Sequence, residues 1–152
     1  MGFNAKYVHT NIVARDWKKL AWFYEQVFGC KPVPPERNLT EKWVEDCTGV
    51  AGAEIRGVHL RLPGCGSSGP TLEIFEYNSE EDRPSTAINR PGLAHLAFAV
   101  DDVRAARDSV LEAGGRAIGK LVSVEISGAG HIDFIYVTDP ENNIIELQRW
   151  SD

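Results

Sequence analysis

Histidine and glutamate occur at matching places in two halves of this 152-residue chain. His9 and His95 each open a strand-like segment, and Glu73 and Glu146 each lie in the last strand-like segment of a half. Two imidazoles and two carboxylates suit a divalent transition metal, because the carboxylates balance its charge and one or two positions stay open for water or substrate. The set predicts an open metal site of the catalytic kind, but it does not select among zinc, nickel, cobalt, manganese and iron(II).

The alternation of side chains along a strand predicts which way these four residues point. In each segment the His or Glu alternates with bulky apolar residues, which should form the face beneath the helices. These apolar residues are Leu72, Ile74, Leu96, Phe98, Ile145 and Leu147. The same alternation prefers Glu73 over Glu76, because Glu76 shares the face of Leu72 and Ile74 and is expected to reach solvent at the strand end.

The remaining histidines and the cysteines are weaker candidates. His59 alternates with Val58 and Leu60, so it faces the same cavity, where we expect a packing or substrate-contact role. His131 follows two glycines and is expected to start a strand or to lie on a mobile loop near the cavity. Cys47 and Cys65 have no assigned base partner, which disfavours a thiol nucleophile.

A repeat positions the four candidates. The segment HTNIVARDWKKLAWFYEQVFGCK, from His9, aligns without a gap with HLAFAVDDVRAARDSVLEAGGR, from His95. Each segment predicts a strand, a capped helix and a glycine stop: Asp16 caps the first helix, and Asp101 or Asp102 caps the second. Strand-like pieces follow each helix, so the predicted unit is β-α-β-β-β, used twice.

The predicted boundaries follow from composition. Residues 1–78 form the first module, a linker rich in Pro, Ser, Asn and charge covers 79–92, and residues 93–152 form the second module, all within one structural domain. Residues 33–57, with Arg37 and Arg56 among their charged side chains, are expected to face the substrate or a dimer partner, or to form a solvated loop.

Charge and hydropathy exclude several classes of protein. The chain carries 16 basic and 22 acidic residues, a net charge of −6, with no basic run for nucleic acid or acidic lipid. No apolar stretch is long enough to cross a membrane. The three widely spaced cysteines favour a reducing compartment, so we expect a cytoplasmic protein.

Several segments together resemble the vicinal oxygen chelate superfamily, which includes glyoxalase I, methylmalonyl-CoA epimerase, extradiol dioxygenases and bleomycin or fosfomycin resistance proteins. The matching segments are YVHTNIVARD, WFYEQVFG, TLEIFEY, GLAHLAFAVDDV and YVTDPENNIIEL. The resemblance implies an α+β fold in which two tandem βαβββ modules form an eight-stranded, cup-shaped mixed sheet with helices outside. It also implies a homodimer, and one divalent metal held by His9, Glu73, His95 and Glu146.

The resemblance further implies a metal-dependent lyase or isomerase of the glyoxalase or epimerase kind. Such an enzyme moves a proton beside a carbonyl through a metal-stabilised enolate, with Glu146 as first choice of base and Glu73 as second. The expected substrate is a small carbonyl compound or its thiol conjugate. The alternatives are an extradiol-type dioxygenase, in which His131 and Tyr136 would assist oxygen chemistry, and a non-catalytic drug-binding resistance protein.

Overall fold

Each half of the chain folds into one mixed sheet with one long helix packed on it. The structure, a computed structural model, describes residues 2–151, and the chain divides into two units, Met1–Asp82 and Arg83–Asp152. This arrangement confirms the predicted α+β class with two βαβββ modules. The strands number nine among the described residues, one more than predicted, because the second unit contains an additional two-residue strand.

The first unit has the sheet order β1-β4-β3-β2. β1 pairs with β4 in parallel, and the other neighbours are antiparallel. Its elements are β1 (His9–Val13), α1 (Trp17–Phe28), β2 (Lys31–Leu39), α2 (Lys42–Thr48), β3 (Ile55–Arg61) and β4 (Thr71–Tyr77).

The second unit repeats this plan with the order β5-β9-β8-β6, and β7 also pairs with β8. β5 pairs with β9 in parallel, as β1 does with β4. Its elements are β5 (His95–Ala99), α3 (Val103–Glu112), β6 (Arg116–Ala117), β7 (Val122–Ile126), β8 (Gly130–Thr138) and β9 (Ile144–Ser151).

Local signals determine where the two long helices begin and end. The Asp16 carboxylate accepts the backbone N–H of Lys19 at 3.0 Å at the start of α1, and Gly29 ends that helix in the left-handed conformation, at φ 68°. For α3 the cap is Asp102, whose Oδ1 accepts two backbone N–H groups, those of Arg104 and Ala105.

Apolar side chains of the helices cover one face of each sheet. In α1 the buried residues include Leu20 and Tyr24, and they pack over β3 and β4, where Leu72 is buried as well. In α3, Val110 is buried and packs over β8 and β9. The helix-covered face is therefore the one that the alternation predicts, and the opposite face of each sheet carries the His and Glu side chains.

The segment 33–57 is not a loop, which corrects one of the expectations for it. Most of it belongs to β2, to the start of β3 and to the short helix α2 between them. Val44 of α2 is buried against Ala53 and Ile55, with Phe75 and Tyr77 packed around this cluster. Because Ile55 and Phe75 share a face with Glu73, α2 covers one end of that face.

None of the helices formed by residues 2–151 combines the length and the apolar character needed to cross a lipid bilayer.

The cap of α3 provides a test of the local structure. Replacing Asp102 by Ala removes the acceptor for two backbone N–H groups, so we expect the free energy of unfolding to fall by about 1 kcal/mol. Urea denaturation measures this change. The matched control is Asp101→Ala at the preceding acidic residue, which should change stability by less than about 0.5 kcal/mol. Equal losses in both variants would contradict the assignment of the cap.

Candidate metal centre

The parallel pairing of β1 with β4 brings His9 beside Glu73. His9 is in register with Thr71, so Glu73 lies two residues further along β4 on the same face. The His9 Nε2 atom is 3.7 Å from Glu73 Oε1, and the Asn11 side-chain amide donates to that oxygen at 2.9 Å. The other carboxylate oxygen of Glu73 is 2.7 Å from Nε2 of His59, on β3.

Glu73 is buried, with 8% of its surface exposed. A buried carboxylate needs hydrogen-bond donors or a positive charge around it, because it has lost its contact with water. Asn11 and His59 meet this need from the two strands beside β4. The result is a carboxylate held in place with imidazole nitrogens at both of its oxygens.

The three side chains His9, His59 and Glu73 form a cluster whose ligand atoms all lie within 4.8 Å of one another. Nitrogen and oxygen ligands of a divalent ion such as zinc lie about 2.0–2.2 Å from it, so neighbouring ligands are roughly 3 Å apart. The separations of 2.7 Å and 3.7 Å lie on either side of that value. The donor types and their spacing therefore fit a divalent metal after small side-chain movements.

The second unit repeats the pair on β5 and β9. His95 is in register with Ile144, two residues before Glu146, so the His and Glu are again diagonal neighbours on a parallel strand pair. His95 Nε2 is 3.1 Å from Glu146 Oε2, and the Gln148 amide lies 3.4 Å from the other oxygen. The ring of Tyr136, on β8, lies edge-on to the His95 imidazole with centroids 5.1 Å apart.

The residue directly across the antiparallel pairing from each glutamate differs between the units. His59 pairs with Glu73, and Tyr136 pairs with Glu146. The first unit consequently presents three metal-ligating side chains, whereas the second presents a His and a Glu beside a phenol.

The surroundings of His59 and Tyr136 keep both side chains uncharged. Burial lowers the pKa of His59 below its usual value. The carboxylate of Glu73 opposes this effect, and the guanidinium of Arg37 and the neighbouring imidazole of His9 add to it. Burial and the charge of Glu146 raise the pKa of Tyr136. At neutral pH His59 is thus a neutral imidazole, the form that binds metals.

The four ligands predicted from sequence lie in two pairs, one within each unit, and their action as ligands stays a prediction. Glu76 is half-buried near the end of β4. Its Oε2 accepts the backbone N–H of Trp17 at 3.2 Å, so this carboxylate interacts with the N-terminus of α1. This contact lies on the helix-covered face, which agrees with the preference for Glu73 over Glu76 as the predicted ligand.

His131 starts β8, as one of the two expectations for it stated, but it does not face the His95–Glu146 pair. Its Nε2 lies 2.9 Å from Ser123 Oγ, and its neighbours on that face are Glu125 and Asp133. Tyr136 has the opposite parity on β8 and therefore lies on the other face. His131 and Tyr136 cannot act together in oxygen chemistry within this sheet, which weakens the dioxygenase alternative.

The sequence did not reveal that His59 and Asn11 contact Glu73. His59 was expected to pack or to contact substrate, whereas it contacts the Glu73 carboxylate directly. Asn11 was assigned no role from the sequence, yet its side-chain amide donates to the same carboxylate. Alternation alone indicates which face these residues share, but the register of β3 against β4 is needed to place His59 opposite Glu73.

Cys30 is a buried, protonated thiol and not an activated nucleophile. Cys30, Cys47 and Cys65 are all free thiols. Burial raises the pKa of the Cys30 thiol to about 11, so it stays protonated at neutral pH. Cys47 lies on α2, where its thiol contacts the Val44 carbonyl oxygen at 3.4 Å.

A sequence model of the Glyoxalase/Bleomycin resistance protein/Dioxygenase superfamily matches residues 6–147. The chain belongs to this superfamily. The match includes all four predicted ligands, so the resemblance inferred from the sequence segments is confirmed.

Relatives of this superfamily member include a protein named "Probable lactoylglutathione lyase" from Vibrio parahaemolyticus serotype O3:K6 (strain RIMD 2210633). It is 27% identical over 144 residues, which cover 95% of this chain and 90% of the relative. A glyoxalase family protein from Bacillus cereus has a similar structure, with a TM-score of 0.83 at 15% identity, covering 99% of this chain and 97% of that one.

A glyoxylase/bleomycin resistance protein/dioxygenase domain from Frankia sp. EAN1pec gives a TM-score of 0.61 at 19% identity. That match covers 99% of this chain and 95% of the other. At such low identities the two structural likenesses establish the shared fold, which agrees with the α+β class observed here.

The environment of His59 predicts a measurable pH dependence in the metal-free protein. The chain contains four histidines, so NMR titration can follow each ring separately. Arg37→Ala should raise the pKa of His59 toward its unperturbed value of about 6.5, because a repelling positive charge is removed. The control Arg56→Ala removes the same charge from the other face of β3 and should leave His59 unchanged.

The lowered pKa of His59 also makes the stability of the protein depend on pH. The folded state binds a proton at His59 less readily than the unfolded state, so this residue makes the metal-free protein less stable as pH falls through about 6.5.

An unchanged His59 titration in Arg37→Ala would show that the guanidinium does not act on this ring.

Proposed function

We propose that the protein is a metal-dependent lyase or isomerase of the glyoxalase or epimerase kind. Its substrate class is a small carbonyl compound or its thiol conjugate. The observation that carries the proposal is the repeated His–carboxylate pair, which occupies the same diagonal of a parallel strand pair in both units. Membership of the superfamily and the name of the Vibrio relative support the same reaction class.

In this proposal His9, Glu73, His95 and Glu146 are the ligands of one divalent metal ion. Imidazole nitrogens and carboxylate oxygens are donors that zinc, nickel, cobalt, manganese and iron(II) all accept. The bound ion lowers the cost of negative charge on the substrate carbonyl oxygen when a proton leaves the neighbouring carbon.

We propose Glu146 as the base that takes this proton. Its carboxylate has one close imidazole contact, and the Gln148 amide at 3.4 Å is at the outer limit of a hydrogen bond. In Glu73, by contrast, one carboxylate oxygen contacts Asn11 and the other contacts His59, so both oxygens are already engaged. The less restrained carboxylate is the better candidate for moving a proton between two positions of the substrate.

The family resemblance also supports a homodimer. The three widely spaced cysteines favour a reducing compartment, which supports a cytoplasmic location as part of the proposal. The net charge of −6 disfavours nucleic acid and acidic lipid as partners.

Deuterium exchange tests the proposed reaction. In heavy water the metal-loaded protein should introduce deuterium beside the carbonyl of one or more candidate 2-oxo compounds, their thiol adducts or thioesters, as followed by proton NMR. Glu146→Gln removes the base, so the exchange rate per bound metal should fall by about 100-fold or more. The control His131→Gln changes a residue on the other face and should keep the wild-type rate.

Two companion measurements distinguish the alternatives. Elemental analysis should find metal in the wild-type protein and little in His9→Ala, because one imidazole ligand has been removed. Oxygen consumption with catechols should be absent. Oxygen uptake would favour the dioxygenase, and a protein that binds a drug tightly but neither exchanges protons nor holds metal would favour the sequestering protein.

A further inference from the structure

We infer that His59 is a further ligand of the metal, so that β1, β3 and β4 of the first unit supply three donors. This inference rests on the proposed function, since it assigns one more ligand to the ion proposed there. It starts from the cluster of His9, His59 and Glu73, whose ligand atoms lie within 4.8 Å of one another.

The position of His59 is the first argument. Its side chain is 18% exposed, its Nε2 points at Glu73 Oε2 from 2.7 Å, and its ring lies edge-on to that of His9 with centroids 5.6 Å apart. An ion bound by His9 and Glu73 would therefore lie within reach of the His59 nitrogen. A residue that only packed here would not need a ring nitrogen facing Glu73.

The outer hydrogen bond of the ring is the second argument. His59 Nδ1 is 3.2 Å from the hydroxyl of Thr71, which is itself buried. A threonine hydroxyl can donate or accept, so it suits both tautomers of the ring. With a metal bound, Nδ1–H donates to Thr71 and the lone pair of Nε2 is free for the ion. Such an outer partner is typical of metal-binding histidines.

The comparison between the units is the third argument. The position across from the glutamate is His59 in the first unit and Tyr136 in the second. An imidazole nitrogen is a common ligand of divalent transition metals, so the first unit has a ligand of that type across from its glutamate where the second has a phenol. The Phe75 ring packs against His59 with centroids 6.1 Å apart and limits its movement away from the cluster.

The test uses ¹¹³Cd²⁺ alone as the probe, on full-length protein labelled with ¹⁵N-histidine. Cys47→Ser and Cys65→Ser are introduced first, because these exposed thiols would compete for a soft ion. A scalar splitting of a ring nitrogen by ¹¹³Cd appears only when the two atoms are directly bonded. We expect split Nε2 resonances for both His9 and His59, and an unsplit His131.

Co²⁺ titration adds a quantitative measurement. His59→Gln should weaken cobalt binding by at least about tenfold, and His131→Gln should leave it unchanged. His59→Tyr places at this position the residue type of Tyr136 in the second unit. It should weaken cobalt binding as His59→Gln does, and it replaces that variant in the test if His59→Gln does not fold.

The outcomes separate the two proposals. A split His9 resonance with an unsplit His59 resonance overturns the assignment of His59 and leaves the metal site intact; His59 is then a hydrogen-bond partner of Glu73. If no histidine resonance is split by cadmium, the proposed metal site and the additional ligand both fail.

Discussion

The parallel pairing of the first and last strand in each unit is the constraint on which the candidate site depends. In β1 with β4, and again in β5 with β9, the register places a histidine two residues before the position opposite a glutamate. A slip of one residue would turn either side chain toward the helix-covered face. The apolar faces of α1 and α3 thus fix the register, and the register determines which groups meet on the open face.

The side chains of Glu73 and Glu146 are almost equally buried, at 11% and 13% exposed, but the contacts of their carboxylates differ. Each lost contact with water must be replaced, and Asn11 and His59 supply the replacements. In the second unit the position matching Asn11 is Ala97, and Tyr136 takes the place of His59. The two units therefore share the His–Glu diagonal, while the residues around each glutamate differ.

Much of the fold could be predicted because its signals are local. Alternation along TLEIFEY and GLAHLAFAV gave the correct faces, and Asp16 and Gly29 marked the ends of α1. The short helix α2 was missed because it buries a single residue of its own, Val44, and so shows no apolar stripe. Whether Asp101 or Asp102 caps α3 depends on backbone angles that the two adjacent aspartates do not reveal.

The contacts of the site were harder to predict than its face. His59 meets Glu73, and Glu76 meets the N-terminus of α1, through pairings between segments that are distant in the chain. Periodicity does not report which residues of two strands lie opposite each other. Such contacts depend on the strand register, which is set by the turns and by the packing of the whole unit.

The proposed metal site is tested most directly by an anomalous-difference map from crystals of the protein grown with Co²⁺ and measured at the cobalt absorption edge. We expect a peak about 2.0–2.2 Å from nitrogen or oxygen atoms of His9, Glu73, His95 and Glu146. A map whose cobalt peaks lie only at other residues, or a map with no peak at Glu73 when the crystals contain cobalt, would contradict it.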